Sequence, residues 1–169
     1  MSNVESIATL SEALVNELTE AGKTVATAES CTGGWVAKAL TDIAGSSACF
    51  AYGVVSYSND AKASVLGVRP DTLEKHGAVS EATVGEMALG MLELSAADYT
   101  VAVSGIAGPT GGTEEKPVGT VWFAWARQDS GASSVEVRRH NFRGDRDEVR
   151  SQSVVIALQG LRERVRAHG

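Results

Sequence analysis

The stretch Ala28-Glu29-Ser30-Cys31-Thr32-Gly33-Gly34 gathers two hydroxyls, a thiol and a glycine pair within seven residues. Such groups can open a carbonyl by nucleophilic attack, and glycines let backbone N–H groups approach the negative oxygen that results. Thr24-Val25-Ala26-Thr27-Ala28 reads as a strand ahead of it, and Trp35-Val36-Ala37-Lys38-Ala39-Leu40 as the helix after it. Ser30 thus falls at the carboxyl end of a strand, where open α/β sheets bind ligands. A helix cap and a glycine turn would use the same residues, and for this segment alone that plainer reading is the commoner outcome. Cys31 is a rival nucleophile, because a helix N-terminus lowers a thiol pKa.

A serine nucleophile needs a base. Lys62, in Tyr57-Ser58-Asn59-Asp60-Ala61-Lys62, also follows a strand end. An amine serves as base only if burial or a neighbouring cation lowers its pKa, and Tyr57 could relay a proton or hold the amine. Most helix lysines are simply solvated. Arg143 and Arg146 flank the start of the last helix, where a guanidinium fork and the helix N-terminus could grip a phosphate, or could merely pair with nearby acids. His76, His140 and His168 lie far apart with no H-E-x-x-H spacing, so no metal is expected, and His140 reads as structural or solvated. The nucleophile-elbow, P-loop and dinucleotide fingerprints are absent.

These groups need a scaffold. Ile7, Leu10, Leu14 and Leu18 mark a first helix that Gly22 ends, and Ala48 to Ser56 alternates as a strand. Ala61 to Leu66 and Pro70 to His76 suggest short helices, and Ser80 caps a longer one carrying Val84, Met87, Ala88, Met91 and Leu92. Tyr99 to Val103 is a buried strand. Gly105 to Pro117 is an irregular loop of the length that is usually functional or disordered. Val118 to Ala126 and Ser134 to Phe142 form a hairpin around Asp129-Ser130-Gly131, and Asp145 with Glu148 opens a final helix buried along Val154, Leu158, Leu161 and Val165. The pattern predicts a three-layer α/β/α sandwich with a mixed, mostly parallel sheet, one domain over residues 1–169.

The 169 residues, 43% hydrophobic, suffice for one core, and a net charge of −6 argues against nucleic acid or an anionic membrane as partner. Two cysteines without C-x-x-C spacing, no apolar run near ~20 residues and no signal peptide point to a soluble cytoplasmic protein.

Seven strings in series, Ala28 to Gly34, Asp42-Ile43-Ala44-Gly45-Ser46-Ser47, Tyr57-Ser58-Asn59, His76 to Glu81, Ser104-Gly105-Ile106-Ala107-Gly108-Pro109, Lys116 to Val121 and Phe142 to Arg146, resemble the CinA C-terminal domain family and its stand-alone nicotinamide-nucleotide amidases. The resemblance implies hydrolysis of the carboxamide of nicotinamide mononucleotide to nicotinate mononucleotide and ammonia, a pyridine nucleotide recycling step. It implies Ser30 as nucleophile with Lys62 and Tyr57 assisting, and no cofactor. Thr32, Gly33, Gly34, Asn59, Ser104, Gly105, Gly111, Gly112, Arg143 and Arg146 are then expected around the nucleotide. Backbone groups near Gly33 and Gly34 or near Gly105 would hold the oxyanion. A non-catalytic nucleotide-binding module and a hydrolase of another small amide are the competing readings, and a homo-oligomer stays open.

Overall fold

β-Branched and small residues alternate with helical stripes along this chain, and in a computed structural model they settle into a single five-stranded sheet between two helical layers. The structure describes residues 3–168, with side chains from Ile7 onward. The elements run α1 (Asn3–Ala21), β1 (Val25–Glu29), α2 (Trp35–Thr41), a 3₁₀ turn (Ser46–Ala48), β2 (Phe50–Val55), α3 (Asn59–Leu66), α4 (Pro70–His76), α5 (Glu81–Ser95), β3 (Tyr99–Gly105), β4 (Thr120–Asp129), β5 (Ala132–Asn141) and α6 (Arg146–His168). Strand order is β2-β1-β3-β4-β5. The sheet is mixed, as expected: β1 pairs parallel with β2 and β3, whereas β3–β4 and β4–β5 are antiparallel.

Every residue of β1 is buried, because helices cover both faces of the sheet and leave no solvated side to demand polar residues. Leu14, Leu18, Leu158 and Leu161 from α1 and α6 meet Val101, Phe123 and Trp125 on one face. Val84, Met87 and Met91 of α5, with Leu66 at the end of α3, cover Ala28, Ala102 and Ala124 on the other. The alanines on that second face let α5 approach closely.

Boundaries moved by a few residues. The helix expected from Ala61 begins at Asn59 because the Ser58 hydroxyl accepts from the Ala61 N–H at 3.0 Å and caps it. The cap on α5 is Ser80, as expected, accepting from the Thr83 N–H at 3.2 Å. Asp145 and Glu148 exchange the reciprocal bonds of a capping box at 2.9 and 3.1 Å, so Asp145 is the cap and the helix proper starts at Arg146. The 3₁₀ turn has no counterpart among the expected elements. Among the described residues no helix is long and apolar enough to cross a membrane.

Candidate active site

The strand order reverses between β1 and β3, and a crevice forms outside the carboxyl ends of strands at such a point. Ser30 follows β1 there, Ser56 and Tyr57 follow β2, and Ser104 and Gly105 end β3. Lys62 sits in the first turns of α3, which the Ser58 cap sets immediately after β2. Its side chain runs inward, leaving it 1% exposed.

Lys62 Nζ lies 3.1 Å from Ser30 Oγ, 2.9 Å from the Ser56 carbonyl oxygen and 3.2 Å from that of Tyr57. Burial disfavours the ammonium and pushes the Lys62 pKa below that of a free lysine. With a neutral amine, its two N–H bonds can serve the two carbonyls, and its lone pair faces Ser30 and can accept the hydroxyl proton. This arrangement can serve as a nucleophile with a base in contact.

Cys31 is different. Its thiol is pushed up to about 12, chiefly by burial and secondly by the negative charge of Glu29. The helix-terminus effect expected to activate it is outweighed: α2 does not begin until Trp35, and the thiol has left water.

Glu29 is a buried carboxylate whose place was not anticipated. Oε1 accepts from Thr32 Oγ1 at 2.6 Å and the Val36 N–H at 2.9 Å, and Oε2 from the Ala37 N–H at 3.0 Å. Gly34, the residue at the N-cap of α2, has no side chain to cap with, and Glu29 reaches across the turn to do so. The turn that carries Ser30 is thereby tied to α2. Capping-box spacing could not signal this, because the donors lie seven and eight residues downstream.

A cleft of about 280 Å³ opens over Ser30 and Lys62, near the lower end of small-ligand sites. Of the residues expected at the site, Ser30, Lys62, Tyr57, Ser104, Gly105, Gly111 and Arg146 line it. Arg146 donates to the Gly108 carbonyl at 2.8 Å and to the Tyr57 hydroxyl at 3.0 Å, tying α6 to the glycine loop and to the end of β2. The Ser104 hydroxyl donates to the Ala78 carbonyl at 2.9 Å. Thr32, Gly33 and Gly34 line a separate hollow of about 510 Å³ with Trp35, Lys38 and Arg150. Size does not choose between them, since the larger hollow holds no nucleophile beside a base. Asn59 and Arg143 are exposed and, with Gly112, lie outside the cleft lining. The Gly33 N–H donates to the Ser30 carbonyl at 3.0 Å, so it is spent on the turn.

Ala78, Val79, Ile106, Ala107 and Thr110 also line the cleft and were not singled out. The four apolar ones carry no chemical signal, and only their place in the quoted strings could have drawn attention to them, whereas Thr110 lies between those strings in the irregular loop. His140 stacks on Phe142 and meets Phe123 edge-on, a packing role. No group of three or more His, Cys, Asp or Glu gathers to hold a metal among the described residues.

The sequence profile of the CinA C-terminal domain matches residues 7–165. This chain belongs to the CinA C-terminal domain family. Within that family it is 60% identical over 152 residues to the nicotinamide-nucleotide amidohydrolase PncC of Escherichia coli strain K12, covering 90% of each chain. A CinA-like protein of Chlorobaculum tepidum is 52% identical over 159 residues, but that match covers 94% of this chain and 38% of the longer relative. Among solved structures, the competence/damage inducible protein CihA of Agrobacterium tumefaciens superposes with a TM-score of 0.90 at 45% identity, covering 94% of both chains. The competence damage-inducible protein A of Klebsiella pneumoniae does so at 0.90 and 44%, covering 96% of this chain and 98% of that one.

Proposed function

We propose that this protein hydrolyses the carboxamide of nicotinamide mononucleotide to nicotinate mononucleotide and ammonia through an acyl-enzyme on Ser30, serving pyridine nucleotide recycling. The observation that carries the mechanism is the 3.1 Å contact between Ser30 Oγ and the buried Lys62 amine. The substrate comes from the PncC relatives, whose names state a nicotinamide-nucleotide amidohydrolase.

Neutral Lys62 takes the Ser30 hydroxyl proton as Oγ attacks the carboxamide carbon, giving a tetrahedral oxyanion. Lys62 returns that proton to the amide nitrogen, the C–N bond breaks, and ammonia leaves an ester on Ser30. Water, deprotonated by Lys62, cleaves the ester; the acid nucleotide departs and Ser30 regains its proton. Tyr57 assists mainly by its carbonyl, which holds Lys62, while its hydroxyl stays at the mouth with Arg146. Arg146 is the cation placed to meet a phosphate, since it lines the cleft and Arg143 does not. The two buried free cysteines suit a reducing cytoplasm.

Ammonia release from nicotinamide mononucleotide tests the reading. Wild type should release it, and Ser30→Ala should lose at least about 10³-fold in kcat while keeping its melting temperature. An active Ser30→Ala protein would remove the acyl-enzyme. A wild type inert to the nucleotide but active on another small amide would move the substrate.

A further inference from the structure

The nucleophile turn has a front and a back. Its closing bond runs from the Gly33 N–H to the Ser30 carbonyl, and Gly33 takes φ of 63°, in the left-handed region that favours glycine. Behind the turn stands Arg150 of α6. Its Nε donates to the Cys31 carbonyl at 3.1 Å and its Nη2 to the Thr32 carbonyl at 3.3 Å, while the guanidinium lies 5.8 Å from the centre of the Trp35 ring. A Cβ on Gly33 would sit 3.3 Å from Nη2, so this side of the turn has little room to spare. Two backbone carbonyls and an indole face hold this half-buried cation where an acidic partner would be usual.

In a trans peptide the C=O and the following N–H point to opposite sides. Capturing the Thr32 carbonyl, which also accepts from the Trp35 N–H at 3.1 Å, therefore turns the Gly33 N–H away from Arg150 and toward the Ser30 carbonyl it bonds. Capturing the Cys31 carbonyl turns the Thr32 N–H away likewise, and the Ser30 carbonyl, occupied by Gly33, directs the Cys31 N–H outward. Among the described residues the Thr32 N–H has no backbone acceptor, and the Cys31 N–H meets only the thiol of its own residue. Both belong to the turn that carries Ser30.

We infer that Arg150 is a positioning residue that clamps the nucleophile turn by its carbonyl side, so that the Cys31 and Thr32 N–H groups form the oxyanion hole. The inference rests on the serine acyl-transfer reading above. A hydrogen-bonded cation on a carbonyl also strengthens the N–H of the same peptide as a donor, and fixed donors need no reorganisation when the oxyanion forms. Arg150 would then act on the transition state without touching the substrate. Neither Gly33 nor Gly105 is needed as donor.

The test uses Arg150→Met, which keeps much of the stem, and Arg150→Lys, which keeps the charge without the fork. Removing an oxyanion donor outright costs ~10²–10³-fold in kcat, so loosening both should cost Arg150→Met on the order of 10–100-fold. KM for nicotinamide mononucleotide should stay within about threefold, and Arg150→Lys should recover part of kcat. A nucleotide analogue with a boronic acid in place of the carboxamide forms a tetrahedral adduct with a serine, and its affinity should fall in proportion to kcat. Affinity for the acid nucleotide product should hold. Unchanged kcat in Arg150→Met would overturn the clamp, as would parallel losses of boronate and product affinity, which would make Arg150 a substrate contact or a merely structural prop. Labelling of Ser30 by a fluorophosphonate needs the hole but no nucleotide. Slower labelling in Arg150→Met with a wild type inert to the nucleotide would discard the substrate and keep the clamp, whereas unslowed labelling would discard the clamp.

Discussion

At the scale of single residues, Lys62 as the proposed base sets the expected pH behaviour. Burial destabilises its ammonium, so the amine becomes neutral at lower pH than a free lysine would. In the proposed mechanism the reactive form is the deprotonated one, and kcat/KM should therefore rise with pH through the lowered Lys62 pKa and level off above it. A pH profile of kcat/KM for wild type checks the sign; activity that falls as pH rises through that region would remove Lys62 as base. Lys62→Arg should lose about 10²–10⁴-fold, because a guanidinium stays protonated and cannot take the Ser30 proton. Cys31 gives the complementary case. With its thiol pushed up to about 12, essentially no thiolate exists near neutrality, so Cys31→Ala should keep kcat within about threefold in the ammonia assay. A dead Cys31→Ala protein with an unchanged melting temperature would return the nucleophile to the thiol.

At the scale of elements, α6 serves both the core and the cleft. Its Gly160 packs on the Trp125 indole of β4, which is 1% exposed, stacked on Phe123 and tied by its N–H to the Ala157 carbonyl at 3.1 Å. A Cβ on Gly160 would lie 2.1 Å from the indole Cε2. Glycine to alanine within a helix ordinarily stabilises by about 0.5–1 kcal/mol, but here the ring has nowhere to go, and overpacking costs about 1–3 kcal/mol. The clash wins. Gly160→Ala should lower the melting temperature by several degrees, at about 2–4 °C per kcal/mol, read by calorimetry. An unchanged or raised melting temperature would mean that α6 can slide off β4 at little cost, and with it Arg146 and Arg150.

The whole molecule makes the cleft, since no one element contains it. β1 brings Ser30, α3 brings Lys62, β3 and its loop bring Ser104 to Gly111, and α6 brings Arg146 from the far end of the chain. Arg146 already spans the mouth to Gly108 and Tyr57, so a phosphate there would join an existing bridge. A charge-assisted hydrogen bond is worth roughly 1.5–3 kcal/mol. Arg146→Ala should accordingly lower kcat/KM for nicotinamide mononucleotide by about 10- to 150-fold and leave the riboside nearly unaffected, narrowing the gap between them. Equal losses on both substrates would assign Arg146 to building the mouth of the cleft and send the phosphate elsewhere.

Much of this was legible along the chain, because local chemistry announces itself locally. Alternation marked the first two strands, a short apolar run the third and a turn the last two, Ser80 and the Asp145/Glu148 pair marked helix starts, and the order of helices and strands marked a mixed three-layer sheet. The residue types around Ser30 and Lys62 pointed to acyl transfer, and the serial strings to the family. The pairing of Ser30 with Lys62 was expected from their strand-end positions and from the resemblance, but their 3.1 Å contact was not legible, since the two stand 32 positions apart and parallel pairing of β1 with β2 sets their strand ends side by side. Burial was hidden for the same reason: a helix lysine reads as solvated until the crevice closes around it. Thr32 looked like a ligand group, yet its hydroxyl is spent on Glu29, whose other donors lie on the next helix. Arg143 and Arg146 were equivalent in sequence, and the direction of α6 sent only Arg146 into the cleft. Composition and periodicity are local properties that one strand of text carries. Desolvation, and the spending of a donor on a distant acceptor, exist only once the chain has packed.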